Sequence, residues 1–404
     1  MATAAGLNKQ VKIKREVTYG TVPAAASSQL LRRVSSSFNL AKDTYRSNEI
    51  RADRQIADFR HGVRRVQGSI SGELSPGTYA DIFSQMLQKE WVAGTSISGL
   101  SITIAGSGPT YTVTRGSGDF LTGGIKIGDV VRLTVGSLNA ANINKNLLIT
   151  ALTATIATVI PLNGVALVAE GPIATTTFAV QGKKAYIPSS SHTGISFSLE
   201  HWFSDVPASE VFSGVKFNSG RISLPPTGLA TVELSATGKD ITTSASEFFT
   251  APTAVTTTTA LAAVNGVLTI SGTQQSIVTG CEITLAPAQS GDPVVGSNVV
   301  PTQFPGMIQV SGQITAQFDA TTLRDIFVNE TEATLTVVLT TDNTATAGLV
   351  GFTMSRIKIG GADKSDGEGG IVQTLPFTAL LNTAGGTSLA NDATTLSMQD
   401  TSAP

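Results

Sequence analysis

The side chains able to do chemistry are few and scattered. Three histidines, His61, His192 and His201, stand far apart, without the His-x-x-x-His spacing or the neighbouring cysteine that a zinc site needs. The one cysteine, Cys281, rules out an intrachain disulfide, and its place in the apolar run from Ile277 to Leu285 makes it a small core residue rather than a reactive thiol. Asp129, Asp240 and Asp325 each sit at a turn or in a helix, and no Ser-His-Asp spacing or nucleophile elbow accompanies them. The glycine-rich stretch Gly116 to Gly124 (GSGDFLTGG) lacks the Lys-Ser/Thr and the following helix of a phosphate loop and reads as a turn. The expectation is no catalytic residue, no metal and no cofactor.

Charge is concentrated in one segment. Between Lys42 and Arg65 lie Arg46, Arg51, Arg54, Arg60, Arg64 and Arg65, interleaved with Asp43, Glu49, Asp53 and Asp58. Two readings fit: a solvated hairpin laced with ion pairs, or a loop that docks on a neighbouring subunit. Elsewhere the chain is lightly charged, at 14% Asp, Glu, Lys and Arg with a formal net charge of −2, which argues against a protein that coats nucleic acid. No stretch is long and apolar enough for a membrane span, and the start lacks an apolar run of signal-peptide length.

The elements that position these groups are read from an internal repeat. Val66 to Phe83 (VQGSISGELSPGTYADIF) returns as Val310 to Phe327 (VSGQITAQFDATTLRDIF), with Gly68 on Gly312 and Asp81 on Asp325 and no gap. Alternating apolar residues predict a half-buried strand, then an N-cap at Ser75 or Asp319, then a short helix to about Leu87 in the first copy. Forty glycines among 404 residues, with abundant Thr, Ser and Val, fit an all-β protein with short helices. The predicted organisation is an N-terminal arm over 1–29 and a first unit over 30–91 and 192–240. That unit is interrupted by an inserted β domain over 92–191. A linker over 241–264, a second unit over 265–382 and a mobile tail over 383–404 follow. Within the insert, Ile102 and Ile104, Tyr111 and Val113, Ile125 to Val135 and Leu147 to Val159 read as strands of a small barrel.

The ordered set of motifs resembles a known family. It comprises KREVTYGT (Lys14 to Thr21), the strand, the charged loop, the VxGxIxxxL strand, the ADIF helix and the EHWFSD strand (Glu200 to Asp205). The hairpin VxFNSGRISLPPTGLATVELSATGKD (Val215 to Asp240) and a second copy of the whole complete it. This set is similar to the tail tube (major tail) proteins of long-tailed, siphovirus-type bacteriophages. The resemblance implies two tandem tail-tube-type β-sandwich/barrel domains plus the inserted barrel-like domain. It implies units that pair sheets edge to edge into rings, and rings that stack into a hollow tube for genome passage. On that reading Lys42 to Arg65 and Ser290 to Gly306 are stacking loops. Val66 to Leu74, Ile195 to Glu200, Val310 to Phe318 and Leu335 to Leu339 are candidate sheet strands, with Ser196, Ser198, Thr334 and Thr336 marking candidate lumen or sheet-pairing strands.

Two units per chain predict a homotrimeric ring of pseudo-sixfold symmetry with the insert projecting outward. The implied partners are further copies of the chain, the tape measure, terminator and tip proteins, and DNA in transit. The implied location is the virion tail, after synthesis in the host cytoplasm. The alternatives are a tail-tip or hub ring of the same tail and, with less support, a carbohydrate-binding adhesin-like protein, for which the insert offers only Tyr111, Phe120, Phe178 and Tyr186.

Overall fold

The computed structural model describes residues 3–365 and 368–404. Met1 and Ala2 of the expected arm, and part of the turn expected at Gly361 to Gly369, lie outside them. The fold is all-β with two short α-helices, Ala80–Leu87 and Thr322–Val328.

One antiparallel sheet of eight strands organises the chain. In spatial order these are Ser35–Arg46, Phe59–Glu73, Thr231–Gly238, the second half of Ala208–Leu224, Val278–Ser290, Phe304–Gln317, Val372–Ala379 and the end of Leu349–Ile359. The first four come from the front half of the chain and the last four from the back half. They join where Gly220–Leu224 pairs with Cys281–Leu285. Alternation gives this sheet one dry face. One row across it reads Gly72, Val232, Ile222, Ile283, Gly312, Phe377 and Ile359. The repeated glycines have a shared cause: a Cβ at Gly68 would collide with the ring of Phe38, and one at Gly312 with the ring of Phe377. Each strand gives up a side chain so that a neighbouring aromatic can lie across it.

The second layer has two parts of matching topology. In the front half, Lys9–Arg15 pairs with Phe197–Phe203, which pairs with the start of Ala208–Leu224, which pairs with Asp240–Ser244. In the back half, Gly266–Ile270, Ala333–Thr340, the start of Leu349–Ile359 and Ser397–Asp400 repeat that order. The first strand of each set follows a 3-10 turn, Gly6–Asn8 or Ala263–Asn265.

These strands correct three expectations. Residues 9–15 are no arm: Val11 and Ile13 are core residues. The tail holds the buried strand Ser397–Asp400, and Asp400 accepts the Gly77 N–H at 2.8 Å. The 241–264 segment is extended yet strapped to the front half throughout. Thr253 N–H donates to Ser28 O at 2.7 Å and Leu261 N–H to Leu74 O at 2.8 Å. The helix caps also differ. Ser75 bonds Thr78 Oγ1 at 2.6 Å and the helix begins only at Ala80, while the second helix starts after Thr321 rather than at Asp319.

The insert closes as a six-stranded barrel in the order Ile156–Pro161, Tyr111–Arg115, Ser96–Gly106, Glu170–Val180, Val130–Thr134 and Leu147–Leu152. The run Leu147 to Val159 breaks into two strands, and Glu170–Val180 is an additional one. The barrel has its own apolar core around Phe120, Val113, Leu133 and Phe178. It leaves the front half but docks on the back half. Val130, Leu148 and Leu162 pack on Val338 and Leu349, and the Gln399 amide bonds both Val130 N–H (2.8 Å) and Val130 O (2.9 Å). Half-buried Lys184 ties buried Asp129 of the barrel to Asp392 of the C-terminal segment.

Candidate assembly and channel surfaces

The wet face of the eight-stranded sheet is rich in serine and threonine, with charged side chains of both signs interspersed. One row crosses all eight strands: Ser35, Ser71, Glu233, Arg221, Thr284, Ser311, Thr378 and Lys358. A second row runs Ser37, Ser69, Ser235 and Ser219. Hydroxyls pair across the ladder, Ser35 with Ser71 at 2.7 Å and Ser37 with Ser69 at 3.2 Å. Arg221 is held between Glu282 (2.6 Å) and Glu233 (3.5 Å), so its charge is more than answered locally. Its pKa is raised by the hydrogen bond to Glu282.

The sheet has two open edges. Ser35–Leu40 has no strand on its outer side among the described residues, and Lys9 Nζ reaches across it to Ser36 O at 2.7 Å. At the other end Asp363–Lys364 pairs inward with Thr374 and Gln373 only. The ladder makes these edges the counterparts of the internal junction. Asp363 stands opposite Thr374 as Arg221 stands opposite Glu233, and Phe38 stands opposite Gly68 as Ile283 stands opposite Gly312.

The charged segment forms the far part of a hairpin whose ladder runs from Ser35↔Ser71 to Arg46↔Phe59, so only 47–58 is a loop. Arg51 pairs with Asp53 (2.9 Å), Arg60 with Asp58 (2.8 Å) and Arg65 with Asp43 (2.5 Å), all exposed. Arg64 reaches Asp240 at 2.6 Å and is half-buried. Arg46 and Arg54 have no ion-pair partner among the described residues, and Arg54 takes a left-handed φ of 57° in the loop. Tyr45, Ile50, Ile56 and Phe59 are exposed apolar side chains around this tip. The other expected loop, Ser290 to Gly306, is different: Asn298 O accepts the Arg64 N–H (2.8 Å) and Gln303 O accepts Lys216 Nζ (3.0 Å), which folds it back on the chain.

The four candidate lumen residues need correction. Ser196 and Ser198 are buried and each donates to the Glu16 carboxylate at 2.7 Å. Glu16 also accepts the Gly20 and Gly214 N–H groups at 2.7 Å, which accounts for the hydroxyls as the lining of a carboxylate site. Thr336 is buried, and Thr334 Oγ1 donates to Ser355 O at 3.0 Å. Their strands are also paired on both sides within the chain, so they offer no free edge. Of the expected sheet strands, Val66 to Leu74 and Val310 to Phe318 contribute to the wet-faced sheet. Sequence reading missed Arg221, Glu233 and Glu282; the alternation in Thr231–Gly238 (TVELSATG) was the signal for that face.

Several titratable groups are bound within the fold. Lys12 is fully buried beside Glu200 (3.3 Å) and Glu247 and donates to Phe249 O at 3.0 Å. Glu200 further accepts Ser209 Oγ (2.6 Å) and the Phe248 (2.7 Å) and Phe249 (3.0 Å) N–H groups. His201 lies buried against Phe38 and Phe212, with Ser36 Oγ 2.9 Å from Nε2. Burial, then Lys9 and Arg33, press its pKa down to about 3. Burial pushes the Cys281 thiol up to about 12. Asp81 pairs with Arg15 at 2.8 Å and Asp325 with Arg324 at 3.0 Å.

A search of curated proteins finds no match for the chain. Residues 6–379 match the family described as Phage tail tube protein. The match spans most of the sequence, and the chain belongs to that phage tail tube family.

Proposed function

We propose that this member of the phage tail tube family polymerises into stacked trimeric rings that form the hollow tube of a virion tail, and that DNA leaves the capsid through it. The family is structural, and the burial of Asp129, Glu200, His201 and Cys281, the first two paired with lysines, accords with a chain that does no catalysis.

One observation carries the ring. The junction Gly220–Leu224 with Cys281–Leu285 already fuses two units of matching topology edge to edge inside one chain, and both halves of a second such junction stand open at the sheet's ends. Pairing Asp363 with Asn39 and Lys364 with Phe38 of the next copy repeats the internal register. Repetition around a ring removes every exposed edge. Two units per chain close a pseudo-sixfold ring with three chains. This reads the two halves as a domain duplication.

The same closure turns the wet face inward as the lumen. Serine and threonine hydroxyls with a compensated Arg221 give passing phosphates little to bind, because phosphate affinity grows with the number of neutralising Lys and Arg contacts. The barrel packs against the second layer, on the side away from that face, and so projects outward three times per ring.

Electron microscopy of the purified full chain tests the proposal. Hollow tubes whose end views show six inner lobes and three outer projections are expected. Lone closed rings under all conditions would instead favour a tail-tip or hub role, and persistent monomers would refute assembly.

A further inference from the structure

The eight-stranded sheet has a direction. Both hairpin loops, 47–58 and 291–303, leave one end, while the turn after Leu224 and the start of Val278–Ser290 lie at the other. The two ends differ in apolar shape. At the loop end Ile50 is fully exposed. At the opposite end a cavity of about 180 Å³ opens between the two layers of the back half, with Val264 and Pro226 at its rim and Leu224, Val267, Leu339 and Cys281 inside. The opening is half-enclosed, with Gln275 and Thr279 on its wall beside the apolar side chains.

The ladder explains how the back half comes to have this opening. Gly266 pairs with Leu339 where the front half pairs Lys9 with Phe203, and Cys281 stands where the front half has Ser36. In the front half Lys9 Nζ lies 5.7 Å from the Phe203 ring centroid and bonds Ser36 O, which fills the space. Replacing Lys and Phe by Gly and Leu empties it. The loops are also unlike. The 291–303 loop is tied to Arg64, Thr237 and Lys216, whereas the hydrogen bonds recorded for 47–58 stay within that loop and its stem.

We infer that the 47–58 tip of one copy seats Ile50 in the Val264-rimmed cavity of a copy in the next ring. This rests on the stacked-ring reading above and specifies the contact between rings. Each chain carries one free tip and one cavity at opposite ends, so the contact is head-to-tail and propagates without closing. It also fixes the rotation between rings, because the front half of one ring must stand over the back half of the next. Moving Ile50 from full exposure to burial favours the stacked state on the order of tenfold or more.

The test uses the full chain as assembled tubes. Ile50→Cys with Val264→Cys, after mild oxidation, should give a ladder of covalent multimers on a non-reducing gel. Each single variant should not, since native Cys281 is buried. Both new sites are exposed in the isolated chain, so folding is unaffected. Leu7 is the front-half counterpart of Val264 and is also exposed. Linking of Ile50→Cys with Leu7→Cys and not with Val264→Cys would overturn the cavity assignment, as would micrographs showing tubes with no Ile50–Val264 link. If the unmodified chain forms no tubes in the same micrographs, the stacked-ring reading itself fails and this contact falls with it.

Discussion

Lys364→Pro isolates the proposed ring-closing edge. Ser365 N–H donates inward to Val372 O at 2.8 Å, so by strand alternation the Lys364 N–H points to the open edge. Proline at 364 removes that outward donor and leaves the inward bond at 365 in place. The preceding residue, Asp363, is already extended, as a residue before proline prefers. Each interface then loses one ladder bond, ~0.5–1.5 kcal/mol, and strands a partner carbonyl at ~1–3 kcal/mol. Since 1.4 kcal/mol is about tenfold in an equilibrium constant, the concentration needed for rings should rise on the order of tenfold or more. Lys364 also lies 3.5 Å from the Phe318 ring centroid, an exposed contact worth ~0.5–1 kcal/mol. Lys364→Ala is therefore the control, because it loses the contact and keeps the N–H. Light scattering against concentration, with thermal unfolding of the monomer alongside, separates assembly from folding. Tubes from Lys364→Pro at the wild-type concentration, with the monomer equally stable, would refute the edge register.

Three further outcomes are expected. Reversing charge at Arg51 and Arg54 together should leave the melting temperature unchanged and impair polymerisation; normal filaments in the electron microscope would remove the loop from the stacking contact. Lys12→Met leaves Glu200 and Glu247 facing each other without their cation and should cost ~3–5 kcal/mol of stability, read by denaturant titration, with Glu200→Gln added to it recovering part. His201 holds its neutral form down to about pH 3 in the fold, against 6.5 when unfolded. The unfolded chain therefore binds the extra proton in that window, and stability falls as pH drops from 6.5 toward 3, by at most ~1.4 kcal/mol per pH unit. Melting curves of His201→Phe should be flatter over that range than those of the parent.

What the sequence alone determined was local and periodic. The repeat Val66 to Phe83 with Val310 to Phe327 marked two strands of the wet-faced sheet and both helices, because alternation and helical spacing are written in neighbouring residues. Strand partners were not legible, since pairing is set by residues far apart in the chain and by which face is buried. Only the tertiary structure placed Lys9–Arg15 beside Phe197–Phe203, carried Ser397–Asp400 into the second layer and seated the barrel on the back half. The same holds for Ser196 and Ser198. Their alternation reads as a polar outer face, but the half-buried Glu16 carboxylate lies on that side and takes both hydroxyls and the Gly20 and Gly214 N–H groups. The wet face, the proposed channel lining, falls to serines and threonines whose strands are joined by the Gly220–Leu224 ladder, a contact between halves of the chain that no local pattern records.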